Sequence, residues 1–269
     1  MAEGPQTAAG SADAPGIAAA QAAAPQAAFY ARGGSRAADW LTLLHPPYTA
    51  WHLSYVAFGA ALAPRLDWAV CWLSLLGFLL AMGIAAHALD EWNGRPLGTQ
   101  ISARALWTAA ILGLAGAVAL GVLVLGHSGP ALIPFMAAGV VLVLGYNLEL
   151  FGGALHTDLG FALAWGGFPA AVGYVAQGQR WSFAGTVALV FVVVAATGLS
   201  SAQRRLSTPA RSLRRKASSV TGVIEFADGT TQTIDRATIL DPLDGALKLL
   251  SLAVPALAAA LLLARWAGR

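Results

Sequence analysis

Windows of roughly 20 apolar residues recur along this chain with little between them, and each is long enough as a helix to cover the hydrocarbon core of a bilayer. Seven are expected as spans: Pro47 to Leu62, Trp68 to Ala88, Ala105 to Gly126, Ala131 to Leu148, Leu159 to Ala176, Phe183 to Leu199 and Ala246 to Trp266. The first is the least uniform, because His52 and Ser54 interrupt it. The runs are continuous rather than alternating, which excludes a transmembrane barrel and leaves helices. Composition agrees. The chain is 57% hydrophobic and 11% charged, whereas soluble domains carry about 25% charged residues. The expected fold is an all-α integral membrane bundle of about seven transmembrane helices. Cys71 stands alone inside an apolar run, without disulfide or metal-ligand spacing, and reads as packing.

The chain divides by material. Residues 1–38 are dominated by Ala, Gly, Pro, Gln and Ser and read as a disordered tail without a signal core. Residues 39–200 read as the helical bundle with six spans, residues 201–242 as a basic loop and β-hairpin, and residues 243–269 as the last transmembrane helix. Basic residues set the orientation. With seven spans and the N-terminus inside, one face receives Arg32, Arg36, Arg95, Arg104, Arg204, Arg205, Arg211, Arg214, Arg215, Lys216, Arg236 and Lys248, twelve in all. The other receives four: Arg65, Arg180, Arg265 and Arg269. The N-terminus, the loop after Asp90, the loop near Glu149 and the long loop after Ser200 are therefore expected in the cytoplasm, with the protein in the cell membrane.

The long loop has two parts. QRRLSTPARSLRRK, from Gln203 to Lys216, reads as a positive-inside anchor that is also suited to anionic headgroups or a phosphorylated ligand. VTGVIEFADGTTQTIDRATIL follows, with β-formers on both sides of Asp228-Gly229, which predicts a hairpin. An isolated two-stranded ribbon is marginal, so it is expected to lie against the bundle or a protein partner. Nucleic-acid binding would rest on the arginines alone and is not expected. Gly-rich pieces such as WGGFP lack the strand and Lys-Ser/Thr pair of a phosphate loop and read as close helix packing.

One stretch is harder to explain as packing. In IAAHALDEWNGRPLG, Asp90 and Glu91 stand where an apolar helix ends, with His87 and Asn93 beside them. Acids at a helix C-terminus oppose the macrodipole, so a cation is expected close by: Mg²⁺, Arg95 or an arginine of the long loop. Trp51, His52 and Tyr55 form an aromatic face that suits either a membrane interface or a carbocation. Glu149, His156 and Asp158 are juxtamembrane candidates, although His156-Thr157-Asp158 also reads as a helix start.

LLHPPYTAWHLSYVAFGAALAP resembles the first helix of the UbiA superfamily of intramembrane prenyltransferases. HALDEWNGRPLG is similar to a shortened form of that family's first aspartate-rich motif with its trailing Arg-Pro. GYNLELFGGALHTDLGFALAWGGFPAAVGY resembles the family's middle, where a Tyr ends one helix and a Gly/Pro-rich helix follows. The resemblance runs from about His45 to Ser201.

It implies transfer of a prenyl group from a polyprenyl diphosphate to an acceptor, with that diphosphate or another isoprenoid lipid as the bound partner beside membrane lipids. Asp90 and Glu91 would be the catalytic carboxylates that hold Mg²⁺, and His87, Asn93, Arg95 and Tyr146 would bind substrate. Where the family carries a second acidic motif, this chain has Ser201, Gln203, Arg204 and Arg205. Arg204, Arg205 and Arg211 are candidates to neutralise a diphosphate directly. Asp241 and Asp244 are candidates to supply the missing carboxylates, or else caps of the last helix. The alternative keeps the bundle without the reaction: a membrane scaffold or lipid-binding protein whose hairpin recruits a partner.

Overall fold

The computed structural model describes residues 28–32, 34–178 and 182–268. The expected tail lies outside the described residues over 1–27, but its last part does not: Phe29 and Tyr30 pack edge-on to Tyr48, and Ser35 caps α1, Arg36–Leu43. A boundary at residue 38 therefore falls inside a helix.

Ten helices and one hairpin follow in order among the described residues. After α1 come α2 (Pro46–Leu62), α3 (Trp68–Phe78), a π-helical segment (Leu79–Ala86) and α4 (His87–Trp92). Then come α5 (Ala103–Ser128), α6 (Ile133–Asn147), α7 (Asp158–Ala162), a second π-helical segment (Leu163–Gly167) and α8 (Phe168–Ala176). The last elements are α9 (Phe183–Arg215), β1 (Gly222–Glu225), β2 (Thr231–Ile234) and α10 (Arg236–Ala267). The starts of α3, α5, α7, α9 and α10 carry the caps their sequences offer, Asp67, Ser102, Thr157, Ser182 and Asp235, each accepting a backbone N–H. Pro46 and Pro47 open α2, where a missing N–H costs nothing.

Six helical stretches, Trp68–Trp92, Ala103–Ser128, Pro130–Asn147, Asp158–Ala176, Phe183–Arg215 and Arg236–Ala267, are long and apolar enough to cross a membrane. The protein is thus an all-α membrane bundle with a small antiparallel hairpin. The 17-residue α2 is not one of the six. It is the central helix of the bundle, with Trp51, Tyr55, Val56 and Ala60 fully buried, and it packs on α8 and α10. Its approach to α8 depends on two glycines. A Cβ at Gly59 would lie 1.9 Å from the Ala170 carbonyl oxygen, and one at Gly173 would lie 2.1 Å from that of Val56. Small residues of this kind bring helix backbones together where lipid offers no hydrophobic drive.

Two ends of the bundle are defined by contacts between helix termini. At one, Asn93 Nδ2 after α4 donates to the Asn147 carbonyl of α6 at 3.0 Å, and Arg215 at the end of α9 donates to the Pro96 carbonyl. At the other, Ser128 of α5 donates to the Ala176 carbonyl of α8. There also Gln177 Oε1 accepts from the Asp67 N–H at 2.7 Å, and Arg265 of α10 donates to the carbonyls of Ala63 and Pro64.

The region read as a basic loop is corrected: Gln203 to Lys216 is not a loop, because α9 continues unbroken through Pro209 to Arg215. Its arginines are therefore held in helical register. The hairpin has the expected turn, with Gly222 paired to Ile234 and Glu225 to Thr231 around Asp228-Gly229, and Gly229 at φ 83°. It does not lie against the bundle, however: Val223, Ile224 and Phe226 are exposed. Neither Asp241 nor Asp244 caps α10, since Asp235 does so with a reciprocal bond from Thr238. Asp244 lies within the helix, largely buried, and pairs with Arg214 of α9.

Candidate functional site

At the end of the bundle where α4, α6 and α9 terminate, the helices part around a cavity of about 250 Å³. Its wall is unusually polar for a bundle of this composition. Met82 and Ala86 of the first π segment, with His87 and Asp90 of α4, form one side. His45 and His52 with Tyr48 form a second, and Tyr146, Asn147 and His156 a third. Gln203, Arg204, Ser207, Thr208 and Arg211 of α9 close it opposite Asp90, while Phe161 and Trp165 reach in from α7 and the second π segment. Gln203, Ser207 and Arg211 recur at i, i+4 and i+8, a spacing that places them on one helix face. Both π segments border the cavity, and such local widenings of a helix are frequent at functional sites.

Five residues expected at the site are brought together here: His87, Asp90, Tyr146, Arg204 and Arg211. Arg204 is fixed on three sides. It donates to Asp158, donates to the Tyr146 hydroxyl at 2.8 Å, and lies over the Phe161 ring at 5.1 Å from its centroid. Arg211 has no ion-pair partner among the described residues, and it lines the cavity together with Arg204 and Asp90. His87 Nδ1 is 3.1 Å from the Gly83 carbonyl. An acceptor there requires the proton on Nδ1, so Nε2 is the acceptor of the neutral ring. The ring of His45 stacks obliquely on that of His87, centroids 4.3 Å apart. His45 is turned in by a left-handed backbone, φ 46°. Burial, followed by the influence of His87, holds its imidazole well below the ordinary histidine range. On the third wall Tyr146 stacks on His156 with centroids 4.5 Å apart.

Four expected site residues are elsewhere. Glu91 is fully buried and turned away: Oε2 accepts from the Leu97 N–H at 2.9 Å, and Oε1 accepts from the Thr99 N–H at 2.8 Å and from its hydroxyl at 2.9 Å. Arg95, at φ 53°, donates to the carbonyls of Thr99 and Ile101. Asn93 ties α4 to α6. Arg205 is on the exposed face of α9. Glu91, Asn93 and Arg95 thus build the turn that carries the chain from α4 to α5. Among the described residues no cluster of three or more His, Cys, Asp or Glu side chains is placed to hold a metal ion.

The sequence reading did not single out Asn147 or Tyr48, and named Gln203 only as standing where an acid was expected. Gln203 is 2% exposed and its Oε1 lies 2.7 Å from His52 Nε2, which joins α9 to α2. A buried amide and a buried imidazole on apolar helices were the available signal, since polar groups at membrane depth are costly unless paired.

The arrangement is a recess lined by two arginines, one carboxylate and four imidazoles, with walls of Tyr, Phe and Trp. Arg211 is the guanidinium there without an ion-pair partner among the described residues, since Arg204 is paired with Asp158. Comparisons of the chain with protein-family models, with curated proteins and with solved structures find no match.

Proposed function

We propose that the protein is a UbiA-like membrane prenyltransferase that binds a polyprenyl diphosphate in this cavity and transfers the prenyl group to an acceptor. In this reading α2 is a seventh crossing, and the cavity faces the cytoplasm of a cell membrane, on the side that receives twelve of the sixteen basic residues. The observation that carries it is the convergence of Arg204 and Arg211 on a recess walled by Tyr48, Tyr146, Phe161 and Trp165. Guanidinium forks match phosphate oxygens, and aromatic faces stabilise a cation beside them.

The chemistry divides between those groups. The allylic C–O bond breaks and its electron pair leaves with the diphosphate, whose charge Arg204 and Arg211 meet. The acceptor then supplies the electron pair of the new bond, and its proton passes to His87 Nε2 or to Asp90. The Mg²⁺ expected from the motif calls for paired carboxylates. The residues present do not fit that site, because Glu91 is committed to Leu97 and Thr99 and only Asp90 faces the cavity.

Titration of inorganic diphosphate into the purified protein in nanodiscs tests the reading. Binding is expected with EDTA present, and Arg211→Gln is expected to weaken it about tenfold or more, the worth of a charge-assisted contact. Absence of binding to the parent protein would refute it. A second reading, a non-catalytic scaffold, is favoured by the exposed Val223, Ile224 and Phe226 on the hairpin. It predicts no diphosphate binding and capture of a protein partner that is lost on deletion of residues 222–234.

A further inference from the structure

One wall of the polar cavity stands at the very start of α2, where a helix terminus ordinarily meets water, yet His45 and Tyr48 there are each 7% exposed. The segment before α1 covers them. Phe29 and Tyr30 stand edge-on to one another with ring centroids 5.2 Å apart, and both stand edge-on to Tyr48, at 6.0 Å and 5.2 Å. The Tyr30 hydroxyl is hydrogen-bonded to His45 Nδ1. On one side the segment ends on α1, where the Arg32 N–H donates to Thr42 Oγ1 at 2.9 Å and the Thr42 hydroxyl donates to the Arg32 carbonyl at 3.0 Å. On the other it meets α10, with Lys248 Nζ 5.8 Å from the centre of the Phe29 ring. Residues 29–32 thus cross the start of α2 from α10 to α1 as a strap.

We propose that this strap is a lid on the polar cavity, latched by Tyr30 on His45, and that its release admits ligand from the water. The way it is held suits a part that opens. Among the described residues no backbone–backbone hydrogen bond joins residues 29–32 to a helix, and the one such bond they make is local, from the Ala31 N–H to the Ala28 carbonyl. Side chains alone fasten it: Thr42 at one end, His45 in the middle and Lys248 at the other. Segments with so few backbone bonds open at the low end of a protein's free-energy range, from which lids are drawn. When closed the strap still excludes water, because Phe29 and Tyr30 pack against the buried cluster that holds Tyr48, Trp51 and Leu247. The inference concerns access to the cavity and rests on the function proposed above only for the identity of the ligand.

The test follows the histidines with diethyl pyrocarbonate, which acylates neutral imidazole, on the full chain in phosphatidylcholine nanodiscs. His45 lies under the strap, His87 lines the cavity beyond it, and His127, with 43% of its side chain exposed at the other end of the bundle, reports an intact fold. In the parent, His45 and His87 are expected to react slowly. Phe29→Ala/Tyr30→Ala is expected to raise both rates about tenfold, because reactivity follows the open fraction, and to leave His127 at the parent's rate. Thr42→Val keeps the rings and removes the clamp on Arg32, and is expected to raise both rates about threefold, the worth of one lost hydrogen-bonding group. Rates unchanged in both variants would overturn the lid. So would a faster His45 beside an unchanged His87, since the strap would then cover one side chain and not the cavity. Inorganic diphosphate adds the ligand: the double variant is expected to bind and release it about tenfold faster than the parent, and equal exchange rates would overturn gating. A parent that binds no diphosphate refutes the ligand named above, and the histidine rates then decide the lid by themselves.

Discussion

Asp90 and Glu91 are adjacent in the chain and opposite in role: Asp90 lines the cavity, whereas Glu91 is fully buried and accepts three hydrogen bonds from Leu97 and Thr99. One residue of α-helix turns the side chain by about 100°, so one carboxylate reaches the cavity and the other the loop behind it. Glu91→Gln replaces a charged acceptor with an amide that must turn an N–H toward a backbone donor. It is expected to cost about 2–4 kcal/mol of stability, since hydrogen bonds to a charged group contribute roughly 1.5–3 kcal/mol each. Asp90→Asn is expected to leave thermal unfolding within a few degrees of the parent while changing diphosphate binding. Paired unfolding and binding curves check both, and a stable Glu91→Gln protein would contradict the structural role.

Arg214 and Asp244 join α9 to α10, with side chains 13% and 12% exposed. Removing one partner of a buried pair strands a charge, whereas removing both does not. Arg214→Met and Asp244→Leu are each expected to destabilise the bundle by about 3–5 kcal/mol, and the double variant to recover most of that loss. Unfolding of the two single variants and the double completes the cycle. Additive losses would show that the pair contributes no coupling.

The membrane class and the hairpin were legible in the sequence because both rest on local pattern: continuous apolar runs for one, β-formers around Asp228-Gly229 for the other. Part of the site was legible too. Tyr146, Arg204 and Arg211 were named from residue type and resemblance, and all three line the cavity. What failed was rotation and continuity. Adjacent acids gave no hint of which would turn inward, and Pro209 with a run of basic residues read as a loop although the flanking helix carries through it. The pairing of Gln203 with His52 was not legible because the two are 151 residues apart, a separation that no local pattern encodes.

Gly59 marks the closest approach of α2 to α8. Gly59→Ala would place a methyl group 1.9 Å from the Ala170 carbonyl oxygen, and backbone cannot yield as a flexible side chain does. Overpacking of this kind costs about 1–3 kcal/mol or more, so the variant is expected to express poorly and unfold at lower temperature. Gly198→Ala in α9 is the control. Nothing lies within 4 Å of its added carbon, and the change removes the helix penalty of glycine, about 1 kcal/mol. Similar melting of the two variants would argue against the contact.

Asp228 makes the hairpin turn pH-dependent. Its Oδ1 accepts from the Thr230 N–H at 2.9 Å and from the Thr230 hydroxyl at 2.7 Å. Hydrogen bonding to the charged form, chiefly by the Thr230 side chain and then its backbone, holds the carboxyl below its usual range. The sign follows from linkage. A carboxylate whose folded value is depressed stabilises the turn above its unfolded value of about 3.9 and loses that contribution as pH falls through the lower folded value. The Thr230 amide is therefore expected to be protected from exchange at neutral pH and to lose protection only below about pH 4. Asp228→Asn is expected to flatten that dependence while keeping the turn, since Asn also accepts from a backbone N–H two residues on. Amide exchange at Thr230, followed between neutral and acid pH in the parent and the variant, checks the outcome, and protection that holds unchanged to the lowest pH would refute the role given to Asp228.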